Sequence, residues 1–223
     1  MTENGALLQK TDPFRRLSRE DQHRLAEASS EKHFAKGEVI FYEGQPSDAV
    51  WLVKSGRVHL LKVLADGKVS TTCVMTRGEV FCCLPSLDRK PYPADAVAAE
   101  PTTVMRIPIQ AMHGIMRRSF DFTQDVMCLF CERLRIVERA GCRLYEPAEL
   151  RLAHTLLVLG KKFSGTIPLT RQEFAEIAGT THETAIRILS RFKQQGLIQS
   201  SRGKTTITNS EGLAAFLNHS PKP

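Results

Sequence analysis

The sequence predicts an α+β protein made of an N-terminal β-roll, a long dimerisation helix and a C-terminal winged helix-turn-helix, and three observations predict it. From Phe34 to about Pro108, short alternating strands are punctuated by Gly37, Gly44, Gly56, Gly67 and Gly78, every 7 to 12 residues, the rhythm of an antiparallel sandwich or barrel. Phe120, Thr123, Met127, Phe130, Leu134, Val137, Gly141 and Leu144 then recur at alternating spacings of three and four, a heptad seam. Finally, Leu169 to Asn209 joins two short amphipathic helices through a glycine turn and ends in a basic hairpin. The expected divisions are a β-roll domain over 1–116, the dimerisation helix and hinge over 117–146, and a winged helix-turn-helix domain over 147–223.

Residues 1 to 33 read as helical, with Leu7, Leu8, Phe14, Leu17 and Leu25 as the apolar set and Ser18 with Asp21 as a capping pair. The clearest strands are Ala49 to Val53, Arg57 to Val63 and Val69 to Val74, with Ala65-Asp66-Gly67 as a hairpin turn. A short helix follows from Ile109 to Met116, and then the long helix. Its strict seven-residue period favours pairing of two copies through Met127, Phe130, Leu134, Val137 and Leu144 over packing on its own β-roll. Glu146-Pro147 breaks it, because proline disfavours helical geometry at the residue before it and suits the start of the next helix. Leu150 to Lys162 is that next helix, on which His154 reads as a packing or surface histidine rather than a ligand.

In the third segment, Thr170 with Glu173 forms a capping-box pattern that opens a helix with Phe174, Ile177 and Ala178 on its apolar face. Gly179 permits the tight exit. Thr180 or Thr181 can cap a second helix whose Ala185, Ile188, Leu189 and Phe192 face the first, and Gly196 ends it. That packing turns His182, Glu183 and Arg187 outward at the N-terminal end of the second helix, the end that enters the major groove in this motif. There a carboxylate accepts from cytosine N4 and a guanidinium grips guanine O6 and N7. The competing reading of Glu183 and Arg187 is a surface i, i+4 ion pair worth roughly 0.2–0.5 kcal/mol. Thr170, Arg171, Thr181, Thr184 and Arg191, with Arg202 and Lys204 at the hairpin tip between Leu197 and Ile207, are expected along the phosphates. Ser210 to Leu217 reads as a last short helix, and His219 to Pro223 as a frayed end.

Charge supports a polyanionic partner. After Leu150 the chain carries ten Lys and Arg against four Glu, so six of the seven net positive charges lie in the helix-turn-helix part. No apolar run approaches a membrane span, and the polar start MTENGALLQKTDPF is unlike a secretory signal, so a cytoplasmic protein without a membrane partner is expected. In that setting the six cysteines are thiols rather than structural disulfides.

The runs TRQEFAEIAG, HETAIRIL, GLI and GKTTI resemble the DNA-binding domain of the CRP/FNR family, that of the cyclic AMP receptor protein and the fumarate-nitrate reduction regulator. The resemblance implies that Glu183 and Arg187 read the core of an inverted repeat. His182 stands where the receptor protein has Arg, so the half-site is expected to differ from TGTGA. The N-terminal segment resembles that family's cyclic-nucleotide-binding fold, so the resemblance spans nearly the whole chain. It implies a homodimer on palindromic double-stranded DNA, with RNA polymerase as a further partner if the protein activates.

The nucleotide pocket does not carry over. Phe81-Cys82-Cys83-Leu84 stands for the family's F-G-E-L, and Pro93-Ala94-Asp95-Ala96 for the stretch whose Arg grips the cyclic phosphate. Without a cation a buried phosphate is not compensated, which argues against cyclic AMP. An iron-sulfur cluster of the oxygen-sensing type is argued against by the lack of any cysteine before Cys73. Among sensor candidates, adjacent Cys82 and Cys83 on a strand would face opposite ways and chelate poorly. Cys128 and Cys131 share a helix face and could bind a soft metal or oxidise, although a buried, inert role is the commoner one. Gly78-Glu79-Val80-Phe81-Cys82 resembles the carbon monoxide sensor of the family, in which the cysteine matching Cys82 holds haem, while that sensor's histidine is Leu84 here. Haem-mediated gas sensing, thiol redox sensing and an unidentified small molecule stand as three possibilities.

Two rival functions are weaker. A ligand-sensing regulatory module without DNA binding would not need a complete winged helix. An enzyme, such as a haem or thiol oxidoreductase, would need convergent catalytic groups, and the sequence shows no catalytic triad, phosphate loop or dinucleotide fingerprint.

Overall fold

The computed structural model describes residues 3–82, 87–143 and 145–218. The chain divides into two compact units, Met1–Val137 and Glu138–Pro223.

The first unit opens with α1 (Glu3–Leu8), a 3-10 turn (Phe14–Arg16) and α2 (Arg19–Ala28). Ser18 caps α2 by accepting from the Asp21 N–H at 3.0 Å. The helical reading stops short of His33, because Ser30–Phe34 is a strand, β1. Its SEKHF sequence is largely exposed and carries no apolar alternation. Backbone pairing with β8, in register from Ser30 with Arg106 to Phe34 with Thr102, makes it a strand.

The roll consists of β2 (Val39–Phe41), β3 (Ala49–Ser55), β4 (Arg57–Val63), β5 (Val69–Thr76), β6 (Val80–Phe81), β7 (Asp95–Ala98) and β8 (Thr102–Pro108) together with β1. They form two four-stranded antiparallel sheets, ordered β1-β8-β3-β6 and β2-β7-β4-β5. Strands β3 and β4 are consecutive yet belong to opposite sheets, and one residue, Gly56, makes the corner. Its φ is +80°, and a Cβ there would meet the Pro101 carbonyl and the Thr102 hydroxyl at 2.5 Å. The Thr102 hydroxyl accepts from the Arg57 N–H at 3.1 Å beneath the corner.

Strand alternation sorts two cores. Trp51, Val53 and Val104 face the roll interior with Phe41, Phe81 and Tyr92. Leu52, Met105 and Ile107 face the helices, packing with Leu8, Phe14, Leu25, Met112 and Phe122. Two helices complete the unit, α3 (Ile109–Arg118) and the first part of α4 (Phe120–Arg143). On α4, Phe122 and Val126 are fully buried in the helical core and Leu129 and Phe130 pack against it. The expected seam lies beside that face. Met127, Leu134 and Val137 are 50, 59 and 64% exposed, whereas Phe130 is shared with the core; Leu144 is outside the described residues.

The second unit takes the last turns of α4 and then breaks at 145–147. Pro147 precedes α5 (Ala148–Lys162), followed by β9 (Thr166–Ile167), α6 (Arg171–Ala178), α7 (His182–Gln194), β10 (Ile198–Ser201), β11 (Lys204–Ile207) and α8 (Ser210–Asn218). Strand order is β10-β11-β9. The alternation pattern misses β9, since Thr166 and Ile167 are too few to show a period; pairing with Thr206 and Thr205 defines them. Phe174, Ala185, Leu189 and Phe192 are buried at 0 or 1% exposure beside Leu152 and Leu156 of α5. Phe216 of α8 meets Phe192 edge-on at 5.4 Å. Residues 219–223, read as a frayed end, are outside the described residues.

Candidate nucleic-acid interface

The capping box at Thr170 is complete. Its hydroxyl accepts from the Glu173 N–H at 3.2 Å, and the Glu173 carboxylate accepts from the Thr170 N–H at 2.6 Å. Helix α6 then ends on Gly179 in the left-handed region, φ 62° and ψ 46°. Arg151 of α5 secures this end, donating from Nε to the Ala178 carbonyl at 2.8 Å and from Nη2 to the Gly179 carbonyl at 2.9 Å. Its Nη1 donates to the Glu146 carbonyl at 2.6 Å. The sequence reasoning missed this residue, because nothing in RLAHTLL signals that a guanidinium reaches the open carbonyls of a helix that begins twenty residues later.

Thr181 is the cap of α7. Its hydroxyl accepts from the Thr184 N–H at 3.2 Å and donates to the Thr184 hydroxyl at 3.0 Å. His182, Glu183 and Arg187 are exposed on the face opposite Ala185, Ile188 and Leu189. The surface ion pair that competes with base reading does not form, since no salt bridge joins Glu183 to Arg187 among the described residues. The Glu183 carboxyl is held below the usual carboxylate value first by its own backbone N–H, then by the nearby Thr181 hydroxyl, with a smaller contribution from His182. It is therefore an ionised acceptor at neutral pH, and Arg187 is a donor without an ion-pair partner among the described residues.

Of the residues expected along the phosphates, Thr170 and Arg171 are exposed at the start of α6, and Thr184 is half-buried in its bond with Thr181. Arg202 and Lys204 are exposed at the β10–β11 tip, where Gly203, φ 72°, makes the turn. Arg191 differs: its guanidinium pairs with Glu149 on α5. The two are far apart in sequence, and the packing of α5 on α7 brings them together.

The cysteines also depart from expectation. Strand β6 ends at Phe81, and Cys82 lies beyond it with φ 57°. The opposite-faces argument for a strand therefore does not apply to it; it is buried in the roll interior. Cys83 is outside the described residues. Cys128 and Cys131 are exposed on α4, not buried. No group of three or more His, Cys, Asp and Glu suited to a metal occurs among the described residues.

The roll interior is aromatic. Phe41 and Tyr92 stack with centroids 3.8 Å apart. Trp51 Nε1 donates to the Tyr92 hydroxyl at 3.1 Å, which donates to the Ala49 carbonyl at 3.2 Å. Burial, more than any neighbour, raises the Tyr92 phenol above its ordinary value. Pro93 is exposed and Ala94 buried, so this stretch supplies no cation to the interior.

The sequence matches the family model of the cyclic nucleotide-binding domain over residues 31–119 and that of the Crp-like helix-turn-helix domain over 150–216. The chain belongs to the CRP/FNR family of transcription regulators. It is 28% identical over 176 residues to the cyclic AMP receptor protein of Thermus thermophilus, covering 78% of this chain and 82% of that one. It is 27% identical over 190 residues to the transcriptional activator protein FnrA of Stutzerimonas stutzeri, covering 81% and 78%. Among solved structures, FixK2 of Bradyrhizobium japonicum superposes with a TM-score of 0.78 at 23% identity, over 87% of this chain and 99% of that one. As a CRP/FNR-type regulator the chain is a DNA-binding protein with a sensor domain of the cyclic-nucleotide-binding type, and not an enzyme. Among the described residues, no helix is long and apolar enough to cross a membrane.

Proposed function

We propose that this CRP/FNR regulator acts as a homodimer on a palindromic operator and is gated by a small effector other than cyclic AMP. The observation that carries the reading is the outward face of α7, where Glu183 and Arg187 are exposed and not paired with each other among the described residues. Dimerisation is supported by the exposed apolar seam of Met127, Leu134 and Val137, a costly surface to leave in water. Gating requires the effector to bind the DNA-competent arrangement more tightly than the other.

Against cyclic AMP stands the lack of a cation at 93–96, the stretch that matches the family's phosphate-gripping segment. The described residues do not fit haem either: Cys82 is packed among the core side chains, and neither a cysteine nor a histidine lines the cleft beside Trp51. The test is selection of an operator from random duplexes, followed by binding to that operator with and without cyclic AMP. Recovery of an inverted repeat whose affinity is unchanged by cyclic AMP is expected. An asymmetric site, or tightening by the nucleotide, would overturn the corresponding part of the proposal.

A further inference from the structure

A cleft of about 560 Å³ opens into the roll between β1 of one sheet and β2 of the other, a volume within the range that holds small ligands. Its floor is Phe41, Trp51 and Tyr92, each under 7% exposed. The hydrogen bonds already described use the Trp51 N–H and the Tyr92 hydroxyl within the protein, so the floor offers ring surface rather than open polar atoms. The rim is charged. Lys32 and Arg106 line it with Asp48, and register explains why: Lys32 pairs with Val104 and Arg106 with Trp51, which places both cations on the interior face of their sheet.

Asp48 binds the Arg106 guanidinium, while Lys32 is exposed and has no ion-pair partner among the described residues. Two cations against one carboxylate leave a single positive charge over an aromatic floor. Gln45, whose Oε1 accepts from the Tyr42 N–H at 3.1 Å, adds its amide NH2 as a neutral donor at the mouth.

We infer that this cleft binds a small aromatic monoanion, a carboxylate or its equivalent, with its ring against Phe41, Trp51 and Tyr92 and its charge at Lys32 and Arg106. Dispersion with the floor and a charge-assisted hydrogen bond at the rim supply the affinity. The inference rests on the roll being the sensor, and makes this cleft the effector site.

Trp51 is the only tryptophan, so the floor carries its own reporter. The probe is 8-anilinonaphthalene-1-sulfonate, an aromatic monoanion, added to the full-length protein with selective excitation of Trp51. Quenching of Trp51 with energy transfer to the probe is expected, together with displacement by benzoate and not by benzyl alcohol. Lys32→Glu should weaken the probe about tenfold, and Lys32→Arg should keep it. Both changes are at an exposed position, so folding is not at stake. Probe fluorescence without Trp51 quenching, wild-type affinity in Lys32→Glu, or equal displacement by benzyl alcohol would overturn the site.

Operator affinity measured in parallel, with and without benzoate, separates this inference from the proposed function. Operator binding with a silent Trp51 overturns the cleft alone. A responding Trp51 without operator binding in either condition overturns the regulator reading and leaves the site standing. A responding Trp51 with operator affinity unmoved by benzoate removes its role as effector site.

Discussion

At the scale of single residues, the DNA-binding face tests most sharply. Arg187→Ala should cost roughly 1–3 kcal/mol on the selected operator and relax preference at one base pair, whereas Lys204→Ala should weaken specific and random duplexes alike. Equal losses on both kinds of DNA for Arg187→Ala would remove its base-reading role. Glu183 gives a second test through its proton. Its carboxyl titrates below the ordinary 4.5 because its own N–H and the Thr181 hydroxyl favour the charged form. The stabilisation from those bonds is complete above pH 4.5 and is lost as pH falls through the folded-state value. Following the Glu183 carboxyl carbon by NMR, Thr181→Val should move its midpoint upward; an unmoved midpoint would show that the hydroxyl does not hold it. These residues were legible in the sequence, because caps and helical spacing are local rules that place Glu183 and Arg187 without knowledge of the rest of the fold. The Arg191–Glu149 pair and the Arg151 clamp were not, since each depends on how α5 packs against a distant helix.

Elements obey the same division. Helices α6 and α7 could be delimited almost to the residue, because Thr170, Gly179 and Thr181 mark their ends chemically. Replacing Thr170 by Ala should lower stability by about 1 kcal/mol in a denaturant titration. Strands β1 and β9 escaped the sequence reading because one is polar and the other has two residues; each exists through its partner. On α5, His154 is half-buried, and its imidazole is held below the ordinary 6.5 by burial first and by Arg143 second, against an opposing pull from Glu146. A depressed histidine leaves the unfolded chain binding more protons, so the stability of this unit should fall as pH drops from 6.5 toward the folded-state value. His154→Gln should flatten that slope in thermal melts taken across the range, and an unchanged slope would place the titrating group elsewhere.

For the whole molecule, the heptad period points to a pairing seam on α4 and gives no sign that the helix has a second apolar face. Phe122 and Val126 belong to the core, one position before Thr123 and Met127 in the seam, and two interleaved patterns on one helix are difficult to separate without the fold. Leu134→Glu should therefore leave the first unit folded, since Leu134 is exposed, shift sedimentation toward a monomer, and reduce affinity for a palindrome to that of two independent half-sites. A dimer unaffected by Leu134→Glu would place the interface elsewhere.

The corner at Gly56 has a consequence for variation. Alanine there would have to displace a backbone carbonyl as well as a hydroxyl, in a backbone region that disfavours any Cβ, so the position tolerates no gradual change. The cleft side chains are under no such restriction. Lys32 sits exposed at a rim where exchange alters charge without moving a strand. Chemical selectivity can consequently diversify across descendants of this scaffold while the joint that keeps the two sheets in place stays a single missing methyl group.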